Sequence, residues 1–318
     1  MINMYWKYAG TQYKSKFSAI QAAGRDVENI SFHTFDESVF NYNYTNEPTE
    51  SLEELIKERC LEIRDNYSYI KFFFSGGSDS TTVLNSFLKN NIHIDEIVIY
   101  RFSTNNDFLN ESNLEANEYA IPFVKNLDIK LTVHDWGAEY LSDLINVDKW
   151  FEKRNTLALR ELTVANIRGK NFCNLFASPE PRIEKVDGSW QLFAYDTDIY
   201  EEHLKFRNIE HFFYTPKLMA KQAHILKNFC NLHKEEPSKA IIRNVLRDPA
   251  VAEIQLKQQG GNSSVDPLFD NPKEKLMLKD SDTHFKDKYR YLLSTKVDNI
   301  PVIRMLRGYE LFRFNLGT

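Results

Sequence analysis

The chain is poor in the residues that announce a redox or metal protein. Its three cysteines, Cys60, Cys173 and Cys230, are far apart and form no C-x-x-C pair, which excludes the usual zinc, iron–sulfur and persulfide patterns and leaves core thiols as the plain reading. His203, His211 and His224 lack metal-ligand spacing as well. No apolar run approaches the roughly 18 residues of a membrane span. The opening MINMYWKYAGTQYKSKF has no apolar centre of the kind a signal peptide carries, so a cytoplasmic protein with no membrane partner is expected. An excess of positive charge is also missing: 40 Lys and Arg against 45 Asp and Glu leave a net charge of −5. That balance does not indicate a grip on long nucleic acid, which needs a concentrated basic face, but it leaves room for a local pocket that takes one anion.

What is present is the composition of a folded globular chain, with 318 residues, 42% hydrophobic, 14% aromatic and 27% charged. One large domain or two modest ones of about 100 to 200 residues fit that length. No internal repeat is visible, and the one long loop-like stretch is QQGGNSSVDPLFDNPKEK, Gln258 to Lys275.

The middle of the chain alternates. YSYIKFFF, IDEIVIYRF, DIKLTVHDW and NFCNLFA read as strands, and between them STTVLNSFLKNN, NESNLEANEYAIPFVKNL and VDKWFEKRNTLALRELTVANIRG read as helices. Near-continuous apolar strands separated by helices imply a doubly wound α/β fold built on a mostly parallel sheet. Asp187-Gly188, inside EPRIEKVDGSWQLFAYDTD, predicts a two-residue hairpin turn, placed either at the sheet edge or as a flap over the site. Ahead of the alternation, KSKFSAIQAA reads as a helix, NISFHTF as a strand and SLEELIKERCLEIRDN as an amphipathic helix. TPKLMAKQAHILKNFCNLH, PSKAIIRNVLRDP and the segment after Asp282 read as helical. The expected division is an α+β preamble over 1–50, an α/β domain over 51–200 and a helical region over 201–318.

The chemistry concentrates where the first of these strands ends, in Ser75-Gly76-Gly77-Ser78-Asp79-Ser80. Ligands of a doubly wound sheet bind at the carboxyl ends of its strands. Glycines let the backbone approach an anion, and the following helix points unpaired amides and its positive dipole end at the same place. Hydroxyls of Ser75, Ser80 and Thr81 can add donors, so the stretch reads as a phosphate cradle. Asp79 is the exception, since a bare carboxylate beside phosphates is repelled unless a cation bridges them, which implies Mg²⁺. The plainer reading, that Ser-Asp-Ser only caps the helix, does not account for two glycines directly after a buried strand. The loop matches neither G-x-x-x-x-G-K-[ST] nor G-x-G-x-x-G.

SGGxDS after a hydrophobic strand closely resembles the pyrophosphate loop, or PP-loop, of the N-type ATP pyrophosphatases, a superfamily of adenine nucleotide α-hydrolase-like proteins that includes asparagine, GMP and NAD synthetases. The matching alternation covers about 67–177, and the wording from Leu52 to Tyr100 is similar to PP-loop proteins of tailed-phage genomes. The resemblance implies a five-stranded HUP-like sheet, with ATP and Mg²⁺ as cofactors. It assigns Ser75, Gly76, Gly77, Asp79 and Ser80 to pyrophosphate and magnesium, with Ser78 as the variable position. Ile99, Tyr100 and Arg101, at the second strand's end, would meet adenine, and Ser178, Glu180 and Arg182, after the fourth, would meet nucleotide or substrate.

The implied reaction is adenylation of a carboxylate or carbonyl-type oxygen with release of pyrophosphate, completed by an amide- or amidine-forming ligation. Asp79 and Ser80 would act with a basic group from outside the loop. Lys217 and Lys221, four residues apart on one helical face, are candidates for it, as are Arg168 and Lys170, although each also reads as ordinary surface or helix-end charge. His134 and Asp135, at the third strand's end, read either as substrate contacts or as a bonded loop pair. Position 2 is Ile2, not a catalytic cysteine, and only a short preamble precedes the loop, so no built-in amidohydrolase is expected. Ammonia, an amine or a separate donor protein would bring the nucleophile to a small-molecule or nucleobase-type acceptor. Three other readings stay open: a sulfur-nucleotide enzyme resembling phosphoadenylylsulfate reductase, a tRNA- or DNA-modifying enzyme, and a nucleotide-binding module without turnover.

Overall fold

The computed structural model describes residues 4–13, 16–34, 37–102, 115–136, 171–177, 181–195, 208–247, 296–297, 300–301 and 310–317. The long helix expected over 147–169 and the loop Gln258 to Lys275 lie outside the described residues, as do Arg168, Lys170, Ser178, Glu180 and His203.

The four apolar runs form β4 (Tyr69–Phe73), β5 (Glu96–Phe102), β6 (Lys130–Trp136) and β7 (Phe172–Phe176). A fifth strand, β10 (Ile209–His211), completes a sheet in the order β10-β7-β4-β5-β6. Every neighbouring pair is parallel. Strand β10 was not among the expected strands, because three residues are too few to show a period of two. It is tied down by Arg59, whose guanidinium donates to Glu210 Oε2 at 2.6 Å and to the carbonyls of Phe212 and His211 at 3.3 and 3.4 Å.

Three helices cover one face of this sheet: α3 (Leu52–Asn66), α4 (Ser78–Lys89) and α5 (Ile121–Lys125). Helix α3 starts in a capping box, with Ser51 Oγ accepting from Glu54 N at 3.1 Å and the Glu54 carboxylate accepting from Ser51 N at 2.8 Å. Its Cys60 and Ile63, with Val83, Leu84 and Phe87 of α4 and Val124 of α5, bury Ile70, Phe72, Ile97 and Leu175 of the sheet. A π turn, Glu115–Ala120, leads into α5. Pro122, in the first turn of α5, has no N–H for a regular helical bond, which fits the wider turn that precedes it.

The opposite face carries polar groups, buried nonetheless. Asn174, Lys71 and Glu96 lie side by side in register across β7, β4 and β5. Glu96 accepts from Thr132 Oγ1 at 2.6 Å and Tyr69 Oη at 2.7 Å, with Lys130 Nζ at 3.2 Å and Lys71 Nζ at 3.9 Å. Asn174 is fully buried, and neither its amide nitrogen nor its oxygen has a hydrogen-bond partner. An unmatched buried amide costs about 1–3 kcal/mol. Asn174→Val should therefore raise unfolding stability by about 1 kcal/mol in urea melts, and a loss of stability would contradict this account.

The remaining elements build a second core. In the preamble, β1 (Met4–Tyr8), β2 (Thr11–Tyr13) and β3 (Ser31–Thr34) form an antiparallel sheet in the order β2-β1-β3, with α1 (Lys16–Ala23) and the single turn α2 (Glu37–Phe40). The expected hairpin is β8 (Arg182–Val186) and β9 (Ser189–Tyr195), with Asp187 and Gly188 both at positive φ, 48° and 82°, as a type I′ turn requires. It does not extend the parallel sheet. Two short strands, β11 (Lys296–Val297) and β12 (Ile300–Pro301), pair with each other, while the hairpin pairs with β13 (Glu310–Gly317), in the order β13-β9-β8, which corrects the helical reading of that stretch. Phe312 and Leu316 are buried while Arg313 and Asn315 are exposed, the period of a strand. Helices α6 (Pro216–His233) and α7 (Lys239–Leu246) form as expected. Trp6, Phe32, Trp190, Leu226, Ile242 and Leu316 share this core, so residues of the preamble pack with those of the carboxyl-terminal region. Among the described residues, no helix is long and apolar enough to cross a membrane.

Candidate functional site

The strand order puts the reversal of winding between β4 and β7, because the chain runs outward from β4 through β5 and β6 and then resumes at β7 and β10 on the other side. A ligand crevice opens beyond the carboxyl ends of the strands at such a point. Residues 74–77 leave β4 there and deliver the chain to α4. Gly76 has φ 81°, a left-handed conformation that costs any residue with a Cβ. Gly77 is the N-cap of α4 and offers no side-chain cap, so the first-turn amides of the helix have no capping oxygen from it.

The loop hydroxyls brace the loop itself. Ser80 Oγ donates to Gly77 O at 3.0 Å and lies 3.0 Å from Ser75 Oγ, which accepts from Gly77 N at 3.3 Å. Thr81 Oγ1 is 3.5 Å from Gly76 O, and Thr82 Oγ1 donates to Ser78 O at 2.8 Å. Ser78, Ser80 and Thr81 are buried. The hydroxyls of Ser75, Ser80 and Thr81 are thus turned onto the bend itself.

Asp79 has an unexpected partner. Arg247, directly after α7, donates from Nε to Asp79 Oδ1. Its Nη1 donates to Gln222 Oε1 of α6 at 2.9 Å, and its guanidinium carbon lies 4.3 Å from the centre of the Phe213 ring. The arginine is 5% exposed. Its Nη2 is buried with no hydrogen-bond partner.

No family model and no curated protein matches this chain. The reading of the site therefore rests on its own geometry.

The other expected site residues are dispersed. Ile99 is buried under the helices. Tyr100 stands in a row of rings, one per strand, running His134, Tyr100, Phe73, Phe176, His211 at centroid spacings of 5.7, 5.7, 4.5 and 5.9 Å. This row forms a continuous aromatic band across the sheet near the carboxyl ends of its strands. Arg101 is held by Asp135, Nε to Oδ1 at 2.6 Å and Nη2 to Oδ2 at 2.9 Å, a fork that pulls the Asp135 carboxyl below its usual range through Arg101's hydrogen bond. Burial first, then the charge of Lys71, lowers His134 and favours its neutral ring. Arg182 opens β8 opposite Phe193.

Lys217 and Lys221 turn toward the preamble, where they pair with Glu50 and with Glu47 at 2.7 Å. Among the described residues, no hydrogen bond or ion pair joins either lysine to the loop. The hydrogen bond to Glu50 raises Lys217 above its usual value, which stabilises that pairing. Among the described residues, the basic side chain that meets the loop is Arg247. The sequence offered one hint of it, an arginine directly after the apolar Leu246 of IIRNVLR, and that pattern ordinarily reads as helix-end charge.

These residues fit a triphosphate and a divalent cation. Asp79 Oδ2 has no hydrogen-bond partner among the described residues, and the side chain is 24% exposed. No group of three or more His, Cys, Asp or Glu able to hold a metal occurs among them. One carboxylate beside a phosphate cradle suits Mg²⁺, which takes one or two protein carboxylates and completes its shell with phosphate oxygens and water.

Proposed function

We propose that the chain is an ATP pyrophosphatase that adenylates a carboxylate or carbonyl-type oxygen and completes an amide- or amidine-forming ligation. The observation that carries this reading is the Ser75–Ser80 bend at the winding reversal, which combines a left-handed Gly76, uncapped helix amides and a partly exposed Asp79. When the α-phosphorus is attacked, negative charge builds on the leaving pyrophosphate, and the α4 amides are aimed to receive it. Asp79 would hold Mg²⁺, which supplies further neutralisation of that charge. Ser75 and Ser80 keep the amides aligned, and the aromatic band through Tyr100 and Phe73 offers a flat, dry flank for the adenine. The acceptor is a small-molecule or nucleobase-type substrate, and a separate protein, or free ammonia or an amine, brings the nucleophile.

The test is incubation with ATP, Mg²⁺, ammonia and a panel of carboxylates, with AMP and pyrophosphate quantified. Equal release of the two, dependent on one acceptor, is expected. Release of ADP and phosphate instead would overturn the proposal, and turnover of an adenylyl sulfate without ATP cleavage would transfer the loop to sulfur-nucleotide chemistry.

A further inference from the structure

We infer that Arg247 is the cationic wall of the anion site, and that its bond to Asp79 is a resting contact which an entering oxyanion replaces. The inference rests on the proposed anion-binding role of the loop and adds a residue and an exchange to it. Burying a guanidinium is costly unless each donor is matched. Here the side chain is 1% exposed, Nη1 is matched by Gln222 and Leu246 O, Nε by Asp79, and Nη2 by nothing. Covalent geometry puts Nη2 on the same edge as Nε, the edge turned to the loop.

A bridge whose only purpose was structural would close the fork with both carboxylate oxygens, as Arg101 does with Asp135. Arg247 leaves half of its fork open beside the amino end of α4. It also cannot swing away, because Phe213 lies against its flat face and Gln222, itself bonded to Leu218 O at 3.2 Å, fixes its far edge.

What can change is the anion it faces. A phosphoryl group over the α4 amides would repel the Asp79 carboxylate and bond to the open guanidinium edge. Asp79, released, would turn its oxygens to the cation that accompanies the phosphate. One arginine and one aspartate then serve two states: paired with each other when the site is empty, and paired with phosphate and metal when it is filled. The ligand class is a di- or triphosphate with its divalent cation.

The experiment uses the full chain, with inorganic pyrophosphate and Mg²⁺ as the probe in calorimetric titration and Mn²⁺ alone as a second probe read by water proton relaxation. Arg247→Gln should weaken pyrophosphate binding by about tenfold or more, the worth of a charge-assisted hydrogen bond. The same variant should tighten Mn²⁺ binding, because Asp79 has lost its competitor. Opposite signs from one substitution are not expected of a merely structural residue.

Arg247→Lys keeps the buried charge and guards against a variant that fails to fold. It should weaken pyrophosphate binding by about threefold, since a lysine cannot present two parallel donors. If wild type binds pyrophosphate and both variants bind it equally well, or if Arg247→Gln weakens pyrophosphate and Mn²⁺ alike, the inference is wrong while the loop's role stands. If wild type binds no pyrophosphate, both fall.

Discussion

Asp79→Ala is expected to abolish pyrophosphate release from ATP, by about 100-fold or more in kcat/KM, and to destabilise the resting protein at the same time. The two losses share a cause. The carboxylate is the proposed seat of the cation, and among the described residues it is also the one acidic side chain bonded to the buried Arg247. Removing one member of a buried pair strands the other, at a cost of about 3–5 kcal/mol. The partial exposure of Asp79 puts the expected loss at about 3 kcal/mol, the low end of that range.

Asp79→Asn should lose as much activity and less stability, because the amide oxygen still accepts from Nε. Added pyrophosphate should restore part of the melting temperature of Asp79→Ala by supplying the missing anion. Urea melts and AMP formation, measured on the same preparations, test this pair of effects. A fully stable Asp79→Ala protein would refute the ion-pair account, and a fully active one would refute the catalytic account.

The second large effect lies on the far face of the sheet. Glu96→Gln should cost about 3 kcal/mol, because it leaves Lys71, 8% exposed at its side chain, without its counter-charge. Burial favours the neutral form of Glu96, yet hydrogen bonds from Thr132 and Tyr69 and the charge of Lys71 outweigh it and hold the carboxyl below its ordinary value of 4.5. A group with a depressed folded pKa contributes its full stability above the unfolded value and loses it as pH falls through the folded one. Wild type should therefore lose stability below about pH 4.5, and Glu96→Gln should show a flatter acid limb. Lys71→Met combined with Glu96→Leu should regain most of the loss, since an apolar pair can replace a buried ionic one. An acid limb identical in wild type and Glu96→Gln would place the titration elsewhere.

The parts legible from sequence were those whose signal is local. The runs around Ile70, Val98, Val133 and Leu175 announce strands because residues buried in a parallel sheet have little polar alternation. Gly76-Gly77 announces a bend, and Asp187-Gly188 fixes a turn through its own backbone preference. What stayed hidden depends on partners distant in the chain. Strand β10 is held by Arg59, about 150 residues away in sequence. Glu310–Gly317 is a strand because β9 offers it an edge. Lys217 and Lys221 have helical spacing that fixes a shared side of α6 but not what that side meets, and Glu47 and Glu50 meet it. Arg247 reads as surface charge until α6 and Phe213 bury it.

The shared core also bears on synthesis. Trp6 and Phe32 precede the parallel sheet in the chain but pack with Leu226, Ile242 and Leu316, which are made only after the last strand of that sheet. Among the described residues, the core of the parallel sheet contains no buried member beyond Phe213, so its packing does not wait for these later residues. Because Arg247 belongs to that later segment, a chain stalled before it would display the glycine bend without its arginine partner.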